Sequence, residues 1–305
     1  MKIWQKLQLI KQISGLTQEK LAKKLGVSFV TLNSWINKKS IPRVSKQKLI
    51  DELYAEYTGQ KIIPETVLQA KKQIVIKKSK KLKNIIGRIV SKPDIFDQFI
   101  LSLTYHTNSI EGSTLSENET AAILFENATL RNKNLIEHLE AKNHQSALQF
   151  LFDKASSKFQ ITENFILKLH QTLMNSIRND AGLYRKHGVR IVGANVPTAN
   201  YLKIPELMKK LVKDINKKEK DVVRHAAQIH SKFEQIHPFA DGNGRIGRLL
   251  INAMLLRENI APAIILQEKK NLYYSYLNKS QKTGDMSLLE DFICDAILNG
   301  YEVIE

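Results

Sequence analysis

His237-Pro238-Phe239-Ala240-Asp241-Gly242-Asn243-Gly244-Arg245-Ile246-Gly247-Arg248 gathers a base, a carboxylate, closely spaced glycines and two guanidinium groups into one short stretch. Gly242 and Gly244 lack a β-carbon, so the backbone there is free to take positive φ and to approach a ligand with its N–H groups turned inward, an anion nest. Downstream, Ile246, Leu249, Leu250, Ala253, Met254 and Leu256 recur at helical spacing, which predicts a helix from Arg245 to Glu258 with the nest at its positive end. Arg245 and Arg248, three apart on one helix face, offer planar forks that match phosphate oxygens. Asp241 is a hard oxygen ligand suited to Mg²⁺, and His237 is a base that works near neutral pH. Together these residues predict hydroxyl attack on a phosphate.

The stretch resembles the signature of the Fic family, His-Pro-Phe-x-Asp/Glu-Gly-Asn-Gly-Arg-x-x-Arg, at every specified position. The resemblance implies transfer of AMP from ATP, with Mg²⁺, to a Ser, Thr or Tyr hydroxyl of a target protein, which includes the chain itself. It implies His237 as catalytic base, Asp241 as metal ligand, and Gly242, Asn243, Gly244, Arg245, Gly247 and Arg248 as nucleotide contacts. Removal of AMP is open to the same residues. Phe239 is assigned to packing under the loop.

Upstream, Thr107-Asn108-Ser109-Ile110-Glu111-Gly112 resembles the inhibitory motif of the Fic class whose inhibitory helix precedes the core. That resemblance implies that Thr107, Glu111 and Gly112 belong to a brake in which Glu111 pairs with Arg248. A carboxylate on that arginine would remove a phosphate clamp and repel the nucleotide. The plain alternative is an ordinary helix-terminal Glu followed by a capping Gly.

Around 189–192 the alternating, β-branched pattern with Gly193 and Asn195 as turn residues predicts a short β-hairpin. In the family this is the flap that holds the target segment by strand-like pairing, so Val192, Gly193, Ala194 and Asn195 are expected near nucleotide and target. Beyond the signature, Asn271-Leu272-Tyr273-Tyr274-Ser275-Tyr276-Leu277 resembles the family's adenine-side segment. Tyr273 and Tyr274 are candidates for stacking on the base and Gln281 for hydrogen bonding its edge; tyrosines at helical spacing are equally a core pattern. His225, His230 and His237 do not share one helix face, which argues against a zinc site.

The front of the chain has a different character. Residues 1–83 hold 19 Lys and Arg against 5 Asp and Glu, most of the net charge of +17, and this points to a polyanionic partner. Thr17 caps a helix starting at Gln18, Gly26 makes a turn, and Ser28 caps a second helix carrying Leu32 and Trp35. The spacing resembles the Cro/repressor-type helix-turn-helix, which implies DNA binding with Gln18, Ser28, Thr31, Ser34, Lys38 and Arg43 as contact candidates and makes a homodimer an expectation. The exposed face of the second helix lacks Arg, and such domains also serve as protein-interaction modules.

The fold expected is mostly α: a helix-turn-helix bundle over 1–58, a basic junction over 59–93 whose lysines are solvated, helices of the Fic region over 94–160 with the inhibitory helix, and a Fic core over 161–300 with the flap hairpin. The single cysteine, Cys294, excludes an internal disulfide framework and fits a reducing cytosol. No signal-like N-terminal run and no long apolar stretch occur, so a cytoplasmic protein without a membrane partner is expected. A protein adenylyltransferase is the leading functional expectation. A DNA-binding regulator whose core senses nucleotide, or a relative that transfers another phosphate-linked group, are the alternatives.

Overall fold

A computed structural model of the chain describes residues 1–155, 159–190 and 196–305. Four helices open it: α1 (Ile3–Ser14), α2 (Gln18–Lys24), α3 (Phe29–Ile36) and α4 (Val44–Tyr57). Thr17 and Ser28 cap α2 and α3 by accepting the N–H of Lys20 and Thr31, which satisfies donors that a helix start leaves open. Leu7, Ile10, Leu21, Leu25, Leu32 and Ile50 are fully buried between the four.

The next segment is folded. Helix α5 (Glu65–Lys81) is followed by the short α6 (Ile85–Val90), and α5 lies along the last helix, α15 (Ser287–Ile304). The lysines of this segment were expected in solvent, and two are not. Lys72 is buried in an ion pair with Glu290 and also reaches Asp221, while Lys71 pairs with Asp291 and Asp295. A row of carboxylates on α15, invisible in the local pattern of α5, draws them in.

From α7 (Pro93–Glu111) the chain runs through α8 (Glu117–Glu126), α9 (Leu135–Lys154), α10 (Glu163–Leu173), α11 (Ile204–Ile215) and α12 (Val222–Ile236) to α13 (Asn243–Arg257) and α14 (Lys270–Thr283). Helix α13 is the centre of the molecule. Every residue from Ile246 to Leu256 is buried, because α7, α9, α10 and α12 all pack on it. At roughly 1.5–3 kcal/mol per fully buried large apolar side chain, this helix anchors the core, and whatever its N-terminus carries is held rigidly.

Two bounds differ from expectation. Helix α13 runs from Asn243 to Arg257 in place of Arg245 to Glu258, and α15 continues past the expected end of the core at 300 to Ile304, with Tyr301 and Ile304 buried. Among the described residues no strand occurs. The expected hairpin turn and its candidates Val192, Gly193, Ala194 and Asn195 lie outside the described residues; next to them, Thr198 Oγ1 donates to Val189 O at 2.8 Å. Among the described residues no helix is long and apolar enough to cross a membrane.

The N-terminal bundle sits on α14. Asn271 Nδ2 donates to Ser14 O at 2.5 Å, and Ser275 Oγ donates to Tyr57 O at 3.1 Å. Both acceptors are carbonyls at the C-terminal ends of α1 and α4, which need donors from outside their own helices.

Candidate active site

The signature loop links α12 to α13. His237 ends α12 with φ +51, a left-handed cap that turns the chain away from the helix. Its backbone oxygen accepts from Arg185 Nε at 2.7 Å, and Arg185, itself buried, also donates to the carbonyls of His187 and Ala199. One guanidinium thus ties the loop to the segment that follows the undescribed residues. Phe239 is fully buried and stacks on His170 with ring centres 3.7 Å apart. His170 in turn accepts from Gly182 N–H, which leaves its Nε2 to donate to Asp241 O at 3.1 Å.

Asn243 is spent on the loop. Its Oδ1 accepts the Phe239 N–H and its Nδ2 donates to the Phe239 carbonyl, both at 2.9 Å, so its side chain closes the turn and does not face a ligand. Gly242 takes φ +78 at the start of α13, as a nest requires. Gly244 is helical, and its lack of a β-carbon serves a different purpose: a β-carbon there would collide with Glu111 Oε1.

That carboxylate arrives from the end of α7. Arg248 Nη2 donates to Glu111 Oε1 at 2.5 Å, and Arg248 Nε donates to Thr107 Oγ1, also at 2.5 Å. Gly112, at φ +112, stops the helix immediately after Glu111. Burial opposes the charge on Arg248, but Glu111 beside it holds the guanidinium above its ordinary range. Glu111 remains 30% exposed, so it closes the site from the solvent side. Thr107, Glu111, Gly244 and Arg248 therefore meet at the start of α13.

Arg245 points elsewhere. Its side chain is 3% exposed and Nη1 donates to Glu140 Oε1 at 2.6 Å, a partner on α9 that sequence reasoning missed. Its Nη2 lies 3.8 Å from Asp241 Oδ1, so it borders the loop while anchored behind it. Asp241 is 54% exposed, and its Oδ1 accepts the Gly242 N–H. Among the described residues no three His, Cys, Asp or Glu side chains form a metal cluster, so a cation at Asp241 would take most of its ligands from phosphates, the habit of Mg²⁺.

His237 keeps its ring half-buried. Nδ1 lies 3.3 Å from the Glu234 carbonyl, which only accepts; Nδ1 therefore carries the hydrogen, and Nε2 has its lone pair for an incoming proton. Burial lowers the imidazole pKa below its usual 6.5, so the ring is neutral at neutral pH.

Tyr273 departs from the expected base contact. It is fully buried, bonded through its hydroxyl to His230 Nε2 at 2.6 Å, with its ring 6.0 Å below the Arg248 guanidinium. Tyr274 is partly exposed, while Gln281 donates to Ser231 O and joins α14 to α12. His225 accepts no metal position either; its Nε2 donates to Asp214 O.

In the N-terminal bundle the six contact candidates are largely engaged within the protein. Gln18 donates to Asn33, Ser28 bonds Thr31, and Ser34 bonds Ser40. Lys38 lies past the end of α3 at φ +61, over the Trp4 ring. Arg43 precedes α4 and is exposed. Phe29 and Val30 are the exposed apolar residues of the α3 face.

Comparison with known proteins places these features. Residues 160–255 match the Fic/DOC family and residues 8–55 match the helix-turn-helix family. The chain is 32% identical over 195 residues to the protein adenylyltransferase Fic of Drosophila yakuba, and equally to that of Drosophila melanogaster; the alignment covers 63% of this chain and 39% of each relative. The chain thus matches about two fifths of the length of these curated relatives. Its fold is similar to that of Fic-1 from C. elegans, with a TM-score of 0.68 and 24% identity over 86% of this chain and 78% of that one. It is also similar to a Fic domain containing signaling protein from Bacteroides thetaiotaomicron, with a TM-score of 0.66 and 26% identity over 77% of this chain and 96% of that one.

Proposed function

We propose that this chain, which carries a Fic/DOC domain behind a helix-turn-helix domain, is a protein adenylyltransferase held off by its own Glu111. One observation carries the reading: the Glu111 carboxylate lies on Arg248 and against Gly244, in the place an anionic phosphate group would take at the start of α13.

His237 Nε2 takes the proton of the target hydroxyl as its oxygen attacks the α-phosphorus of ATP, and pyrophosphate leaves. The first-turn N–H groups of α13 and the guanidinium of Arg248 offset charge on the nucleotide. Arg245, fixed by Glu140, supports the loop from behind and adds positive potential. Asp241 would hold Mg²⁺, which neutralises charge on the departing phosphates. With Glu111 on Arg248 the clamp is occupied and a second negative charge faces the nucleotide. The imidazolium formed in the forward step is equipped to return its proton to a leaving hydroxyl, so removal of AMP uses the same groups.

The test is transfer of label from ATP marked at the α-phosphate, with self-modification as readout. Glu111→Gly is expected to label at least about tenfold more strongly than wild type, a clamp worth ~1.4 kcal/mol or more, and His237→Ala not at all. Labelling only from γ-marked ATP would replace adenylylation by phosphate transfer.

The N-terminal bundle is read as a DNA-binding module on its family match and basic charge. Its affinity for duplex DNA is expected to fall steeply between low and moderate salt, since each phosphate contact contributes about 0.9 to the slope of log K against log salt. Salt-independent binding would point to a protein partner.

A further inference from the structure

Glu234 is a buried carboxyl that the proposed reaction leaves unused. It sits on α12 one turn before His237, with Oε2 3.9 Å from His237 Nδ1. Its Oε1 is buried and has no hydrogen-bond partner among the described residues. Gly247 makes room for it: a β-carbon on that residue would collide with Glu234 Oε1 and would press on the His230 ring. A glycine in the middle of the central helix costs about 0.5–1 kcal/mol relative to Ala, so the space is kept at a cost to the fold. The groups that face the carboxyl are His230 and His237 from its own helix, Arg248 from α13, Glu111 from α7, and Tyr273 and Tyr274 from α14.

We propose that Glu234 is a positioning residue for His237: its backbone carbonyl takes the Nδ1 hydrogen, and its carboxylate, 3.9 Å from Nδ1, balances the imidazolium that forms when Nε2 accepts the hydroxyl proton. Its charge is tied to the brake. Burial pushes the carboxyl up to about 8, with Arg248 opposing and Glu111 adding to the rise. While Glu111 occupies Arg248, two carboxylates compete for one guanidinium and Glu234 keeps its proton. In the nucleotide-free site, departure of Glu111 leaves Arg248 facing Glu234 alone, and the carboxyl ionises more readily there. Release of the clamp and readiness of the base then go together. The inference rests on the adenylyltransferase reading for its rate consequence and on the geometry alone for its proton consequence.

The experiment uses the full chain with Glu111→Gly, alone and combined with Glu234→Gln or Glu234→Asp. The glutamine keeps the size of the side chain and cannot ionise. Expected is an ATP affinity within about twofold of Glu111→Gly, with label transfer reduced tenfold or more in Glu234→Gln and partly regained in Glu234→Asp. The rate of Glu111→Gly should rise with pH in two steps, one from His237 below 6.5 and one from Glu234 at or below pH 8, and Glu234→Gln should keep only the first. Equal rates and one shared pH profile would overturn the proposal. If Glu111→Gly transfers no label at all, the adenylyltransferase reading falls, and ring resonances of His237, assigned with His237→Ala, still decide: two inflections with pH in Glu111→Gly and one with Glu234→Gln support the proposal, and identical titrations refute it.

Discussion

Arg245 and Arg248 are three residues apart in one helix and have opposite tasks. Arg248 is paired by buried Thr107 and, from the solvent side, by the 30% exposed carboxylate of Glu111. Arg245 is paired from the inside, by Glu140 on α9, with Nε unpartnered among the described residues. Removing Glu140 therefore strands a buried charge, and Glu140→Ala is expected to cost about 3 kcal/mol in urea unfolding; a change within about 0.5 kcal/mol would show that Arg245 is carried by the loop. The division of labour was half legible. That His237, Asp241 and Gly242 share one tight loop, with Gly242 at positive φ, could be read because the pattern is local. Glu140 could not, because it lies more than a hundred residues upstream on an ordinary amphipathic helix. Tyr273 was misplaced for a related reason: neighbouring tyrosines show that one face is aromatic without showing which ring turns inward.

Helices were the easiest part of the fold to read, since caps such as Thr17 and Ser28 and the 3.6-residue period are local signals. Their tertiary partners were not. The lysines of α5 read as a solvated face until α15 supplied Glu290, Asp291 and Asp295. The last helix shows how tightly such elements fit. Ile264 N–H donates to Ala296 O at 2.9 Å and Asn299 Nδ2 donates to Ile264 O at 3.0 Å, bringing the segment after α13 onto α15. At Gly300 a β-carbon would strike the Pro262 carbonyl oxygen. Gly→Ala within a helix ordinarily stabilises by about 0.5–1 kcal/mol. Here Gly300→Ala is expected to destabilise by about 1–3 kcal/mol through overpacking, so the sign of the shift in melting temperature is the check.

The molecule as a whole buries an unusual set of imidazoles around α13. Burial holds His144 and His230 down at about 3 and His170 at about 4, with Arg248 adding to the effect on the first two. A folded pKa below the unfolded value of 6.5 gives stability that is complete above pH 6.5 and lost as pH falls toward 3. Glu234 runs the other way: its folded value of about 8 lies above the ordinary 4.5, so its contribution is complete below 4.5 and lost as pH rises to 8. Between 4.5 and 6.5 three imidazoles outweigh one carboxyl. Stability is therefore expected to peak near pH ~6.5 in melting curves taken across pH, with the alkaline decline absent in Glu234→Gln. A flat profile would mean that these groups are wetted in solution.

Under the proposed adenylyltransferase function, the Glu111 brake also depends on concentration. Glu111 and Arg248 belong to one chain and meet on packed helices, so dilution leaves their encounter unchanged, whereas ATP must find the site from bulk solution. A tethered group acts at an effective concentration in the millimolar range or above. The cell's nucleotide level is then the opponent that the carboxylate faces, and the same protein would respond to the abundance of its own fuel.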